Sequence, residues 1–162
     1  MTKGISSSEI RVRSYRPGDA AAFRSLNEHW IAKFFRIEDP DREVLDDPEK
    51  RILEAGGAIF MAVAGETAIG TCALIAEGEH VYELAKMAVD EAWQGRGVGR
   101  KVLEFAVAEA RRMGARLLKL ESSSKLKNAI HLYEAVGFRH LPPERIHPSP
   151  YERADIFMEM EL

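Results

Sequence analysis

The chain has 162 residues, 46% hydrophobic and 30% charged, a composition that fits a soluble globular domain and excludes extended disorder. Lys and Arg number 23 against 26 Asp and Glu, and a net charge of −3 gives no general reason to expect a nucleic-acid partner. The single cysteine, Cys72, rules out an intrachain disulfide and a cysteine-built zinc cluster. It fits a reducing compartment, so a cytoplasmic location is expected. Residues 1–8 lack the apolar core of a signal peptide and are read as a flexible tail before a single domain over 9–162. The longest stretch without charged or strongly polar residues, 55–65, falls far short of the ~18 apolar residues of a membrane span.

In chain order, residues 9–16 alternate apolar and polar side chains and read as a strand. Asp19 is placed to cap a helix over 20–30, with Phe23, Leu26 and Trp30 on its apolar face and Phe34 and Phe35 following it. Residues 38–54 hold eight acids and three bases, and Pro40 and Pro48 divide them into short helical pieces with a solvated acidic face. Three strands follow at 58–64, 68–76 and 81–89, close enough to form an antiparallel meander. Residues 98–113 are the clearest helix: Val102, Leu103, Ala106 and Ala110 share one face, and Gly114 stops it. A strand at 117–121, a short helix at 128–136, a short strand at 138–141 and a final strand at 154–162 complete the chain.

The segment Gln94-Gly95-Arg96-Gly97-Val98-Gly99 follows a strand and opens the amphipathic helix. Free main-chain N–H groups at such a helix start form a nest for an anion, and Arg96, Arg100 and Lys101 add positive charge. A Walker turn is excluded, because no Ser or Thr follows the lysine to hold magnesium. The glycine spacing departs from the dinucleotide fingerprint, although Glu121 lies 22 residues after Gly99, where a ribose-binding acid would stand. A Gly-x-Gly-x-Gly turn also suits a methyltransferase, which leaves nucleotide and S-adenosylmethionine readings open. The five histidines show no metal-ligand spacing, so no metal is expected.

Residues 81–99 resemble the central motif of the GNAT superfamily of acetyl-CoA-dependent N-acetyltransferases, whose Gln/Arg-x-x-Gly-x-Gly/Ala signature Gln94–Gly99 matches position by position. Residues 128–138 (NAIHLYEAVGF) are similar to its second hallmark, an Asn followed by Tyr and then Gly-Phe. The resemblance implies an α/β (α+β) fold with a mixed, mostly antiparallel sheet of about six to seven strands. It also implies helices on both faces and a splay between the strands at 81–89 and 117–121. It implies acetyl-CoA as co-substrate and a small-molecule or peptide amine as acceptor, with neither nucleic acid nor membrane as partner; pairing of two copies through an exposed strand edge stays open.

Carried over by position, the resemblance places the main chain of Met87, Ala88 and Val89 against the pantetheine arm and the turn from Gln94 through Gly95, Arg96, Gly97, Val98 and Gly99, with Arg100, against the pyrophosphate. Asn128 would support the pantetheine arm, and Tyr133 would sit by the thioester sulfur and protonate the leaving thiolate. An ammonium acceptor must lose a proton before it attacks, and Glu83 is the candidate base: a carboxylate in a mostly apolar strand, where desolvation raises its pKa. Each assignment has a rival. Glu83 could pair with Lys86 or Lys119, Tyr133 could be a packing residue, and Asn128 could be only a helix cap. Residues 94–127 carry nine bases and three acids, so the near-neutral total hides a basic stretch around the turn and an acidic remainder.

Overall fold

The computed structural model describes residues 9–162; the expected tail at 1–8 lies outside the described residues. A seven-stranded sheet forms from β1 (Ile10–Ser14), β2 (Ala58–Ala64), β3 (Thr67–Gly78), β4 (Val81–Val89), β5 (Leu117–Ser122), β6 (Arg139–His140) and β7 (Ile156–Glu161), in the order β1-β2-β3-β4-β5-β7-β6. The helices are α1 (Ala20–Phe34), α2 (Asp39–Asp46), α3 (Val98–Arg112) and α4 (Lys127–Val136). Every strand pairing is antiparallel except β4 with β5, which the crossover through α3 makes parallel.

Alternation along the strands separates two apolar layers. Phe60, Ala62 and Ala64 of β2 face a core built with Val102, Leu103, Ala106 and Ala110 of α3 and Tyr133 of α4. Ile59, Met61 and Val63 face the other way, against Phe23, Leu26 and Ile31 of α1 and Leu45 of α2. The sheet is therefore covered on both faces, as the resemblance implies.

The parallel ladder is short. Val81, Tyr82 and Glu83 pair with Leu117, Leu118 and Lys119, and there it ends. Beyond it β4 stays on β3 as far as Val89, while β5 stays on β7 as far as Ser122. The two halves of the sheet diverge after Glu83, and the opening between them is the place where ligands can enter.

Several local expectations need correction. α1 runs on to Phe34, because no Gly or Pro interrupts it and Ile31 continues its buried face, so Phe34 belongs to the helix with Trp30. Asp19 makes no side-chain cap; its carboxylate takes the Arg13 guanidinium at 2.7 and 3.1 Å and the Arg16 N–H at 2.7 Å. α4 begins at Lys127 with Leu126 at its cap, which puts Asn128 in the first turn and removes the capping alternative. The acidic stretch does form short pieces, α2 and a wide turn at Glu49–Leu53, but it is no uniform solvated face: Asp41 is 0% and Glu38 6% exposed.

Candidate active site

The glycine turn has the geometry of an anion nest. Gly95 and Gly97 take φ of +78° and +80°, with Arg96 between them and the side of each glycine open. The first intrahelical bond of α3 runs from Lys101 N–H to Gly97 O, so the N–H groups of Val98, Gly99 and Arg100 face out of the helix start. The turn is seated by a close approach at its back: a Cβ on Gly70 of β3 would stand 2.9 Å from Val98 Cγ1. That glycine lets α3 begin directly on the sheet, and no sequence motif marked it.

From this turn a groove of about 430 Å³ runs along the splay. Met87, Ala88, Val89, Gln94, Gly95, Gly97, Val98, Gly99, Arg100 and Asn128 all line it. Trp30, Phe34, Lys125 and Lys127 line it too, so α1 supplies an aromatic wall, and the loop before α4 and its first residue supply two further bases. Arg96 does not line the groove; its guanidinium stacks over the Trp93 ring at 4.9 Å.

At the inner end of the groove lies a second, smaller cavity of about 120 Å³, and Trp30, Met87 and Leu126 border both. Glu83, Tyr133, Glu121 and Arg153 line this inner cavity. Tyr133 is 8% exposed and packs edge-on against Phe138 with ring centroids 6.0 Å apart. Burial pushes its phenol pKa up, so the hydroxyl keeps its proton across the physiological range. The structure thus places Tyr133 in a packing role and at the cavity at once.

Glu83 does not make the ion pairs that were its rival reading. Burial, then a hydrogen bond and like charge from Glu77, then the charge of Glu121, raise its pKa to about 8 against a small opposing pull from Lys86. A half-buried carboxyl between two other carboxyls gives up its proton late, near the pH where a base for an ammonium is useful. Glu83 also borders a broad cleft next to the inner cavity, which Glu77, Glu121, Glu144 and His147 line as well.

Lys86 lines the same inner cavity, but its ammonium is taken up by other groups. Its Nζ lies 2.7 Å from Asp41 Oδ1 and 3.0 Å from the Tyr151 hydroxyl. Arg153 reaches the same carboxylate with both nitrogens, at 2.6 and 2.8 Å, and also reaches Glu38 at 3.1 Å. Burial alone would raise the Asp41 pKa; the Arg153 hydrogen bonds and the Lys86 charge outweigh it and hold the carboxyl at about 2. Sequence reasoning missed this cluster, because its members come from α2, β4 and the segment before β7 and share no motif.

The same lysine marks a break in β4. Lys86 has φ +54° in mid-strand, and Lys86 and Met87 together lie opposite Cys72 of β3, between the pairs Ala73–Ala85 and Thr71–Ala88. The bulge reverses the alternation: Leu84 packs in the α3 layer and Ala88, four residues on, in the α1 layer.

The model of the Acetyltransferase (GNAT) family matches residues 23–138. The chain belongs to this family. Among curated relatives it is similar to the uncharacterized N-acetyltransferase YjgM of Escherichia coli K12, 38% identical over 113 residues, which span 67% of this chain and 65% of the relative. It is also similar to human N-acetylaspartate synthetase, 38% identical over 130 residues, 75% of this chain but 41% of that one. The chain thus spans less than two thirds of the length of each. Among solved structures, a GNAT-family acetyltransferase from Staphylococcus aureus Mu50 superposes with a TM-score of 0.83 at 20% identity, over 94% of this chain and 98% of that one. A GNAT acetyltransferase from Elizabethkingia anophelis with acetyl-CoA bound superposes with a TM-score of 0.72 at 22% identity, covering 95% and 99%. The fold is shared with both. No described helix is long and apolar enough to cross a membrane.

Proposed function

We propose that residues 9–162 form a single acetyltransferase domain that moves an acetyl group from acetyl-CoA directly to a primary amine of a small molecule or peptide. One observation carries this reading: the groove that begins at the glycine nest meets, at Met87, the cavity that holds Glu83 and Tyr133. The groove suits CoA in its chemistry. Its outer end offers outward N–H groups with Arg100 for phosphates, Lys125 and Lys127 add positive charge along its wall, and the β4 main chain at the splay is available for amides.

When bound, acetyl-CoA supplies an acetyl thioester. The chain's own residues supply the rest. The turn from Gln94 to Gly99 and Arg100 hold the phosphates, and Asn128 and the main chain of Met87, Ala88 and Val89 hold the arm in the splay. Arg96, turned onto Trp93, adds charge beside the nest without lining it. The carboxylate of Glu83 accepts the proton that the ammonium must lose, directly or through a water. The Tyr133 hydroxyl, kept protonated by burial, gives a proton to the departing thiolate.

Two measurements test this. Calorimetric titration with acetyl-CoA and CoA is expected to show binding at micromolar concentrations, and its absence would remove the reading. Thiol release against a panel of amines, polyamines, amino acids and peptides is expected to identify an acceptor. Cofactor binding without thiol release for any acceptor would instead make the chain a non-catalytic acyl-CoA-binding module.

A further inference from the structure

Two non-glycine residues among those described have positive φ, His80 at 63° and Lys86 at 54°. His80 lies in the tight turn between β3 and β4, where such a conformation is ordinary. Lys86 lies in the middle of β4, where it is not, and a strained residue in mid-strand persists only when its surroundings over-determine it. The Lys86 side chain is 6% exposed, and its Nζ is held by Asp41, itself 0% exposed. Asp41 is in turn gripped by both nitrogens of Arg153, and the Glu38 N–H donates to its Oδ2 at 2.9 Å. The Tyr151 ring lies 4.7 Å from the ammonium and 4.4 Å from the Arg153 guanidinium. The next residue in the chain, Met87, borders both the groove and the inner cavity.

We propose that Lys86 is a positioning residue for acetyl transfer: its buried ion pair with Asp41, completed by Arg153, holds the β4 bulge and so sets the strand at Met87 between the groove and the acceptor cavity. The proposal rests on the acetyl-transfer reading, but it assigns Lys86 and Asp41 no contact with the reacting atoms. The ammonium acts through the backbone it anchors. It follows that removing the ammonium does harm mainly because a residue with a Cβ no longer has a reason to stay at positive φ, and that a glycine, which needs no such reason, repairs the harm.

The test compares Lys86→Ala with Lys86→Gly. Three things are measured: thiol release with the best acceptor of the panel, CoA affinity, and the backbone amide chemical shifts of residues 84–89. Lys86→Ala is expected to lower kcat at least about tenfold, a small displacement being enough for that, while CoA affinity stays within about twofold. Lys86→Gly is expected to recover most of that loss and to keep amide shifts near the wild-type ones. Asp41→Asn, which keeps the shape and loses the charge, is expected to resemble Lys86→Ala, and to cost less when combined with Lys86→Gly than alone. Should Asp41→Asn fail to fold, the Lys86 pair decides by itself. Equal losses in Ala and Gly would show that only the charge matters and overturn the proposal. So would full turnover in Lys86→Ala, or a loss that falls on CoA affinity. If wild type binds CoA but releases no thiol, the transfer reading fails and the positioning role with it, while the amide shifts still decide whether the pair holds the bulge.

Discussion

The two ends of the site are built by opposite means. The proposed cofactor end is a stretch of consecutive residues, Gln94 to Arg100, exposed for the most part and shaped by backbone geometry at two glycines. The proposed acceptor end is assembled from residues far apart in the chain, Glu83, Tyr133 and Arg153 around the cavity with Asp41 paired to Arg153 behind them, and depends on buried charge. The difference teaches where each function is vulnerable. A change in the turn is expected to alter affinity for a phosphate-bearing ligand and little else. A change in the buried end alters chemistry and stability together, because a charge left there without its partner cannot be rescued by water.

The largest expected effect separates the two ends most sharply. Glu83→Gln is expected to lower turnover about 100-fold or more with acetyl-CoA affinity unchanged, as measured by thiol release and calorimetry. Unchanged turnover would take Glu83 out of the base role.

The buried end is also expected to show itself in acid. The Asp41 carboxyl has its folded pKa near 2, below the ordinary 3.8, so its contribution is present above 3.8 and is lost as the pH falls toward 2. That contribution is roughly 2 kcal/mol. Thermal melts between pH 5 and pH 2 are expected to fall more steeply for wild type than for Asp41→Asn, and parallel curves would contradict the ion cluster's role.

The turn is expected to behave otherwise. Gly97→Val forces a β-branched residue to positive φ, a cost of about 1–2 kcal/mol that the loop relieves by moving. CoA affinity is expected to fall about tenfold, with kcat at saturating acetyl-CoA preserved and the melting temperature little changed. A large fall in stability would erase the contrast between the two ends.

The smallest effect concerns the neighbours of Glu83. With its pKa at about 8, kcat/KM is expected to rise with pH through a midpoint near 8 and to level off above it, because only the ionised carboxylate accepts a proton. Glu77 is exposed and raises that pKa by hydrogen bond and charge, so Glu77→Gln is expected to move the rising limb to lower pH by less than about one unit. A limb that stays in place would detach Glu77 from the site.

What the sequence determined by itself is what local physics determines. Alternation announced the strands, the face of Val102, Leu103, Ala106 and Ala110 announced α3, and glycines that must take positive φ announced the nest, because each signal is complete within a few residues. Glu83 was legible as a carboxylate in an apolar strand, though not the Glu77 and Glu121 charges that raise its pKa. Only the tertiary structure decided that Asp41 leaves an acidic, seemingly solvated stretch to meet Lys86 and Arg153, and that Gly70 makes room for Val98. Only it decided that a bulge at Lys86 turns Leu84 and Ala88 into different layers. Burial, pairing of distant charges and close approach of separate elements are properties of where segments meet, and no window of consecutive residues contains them.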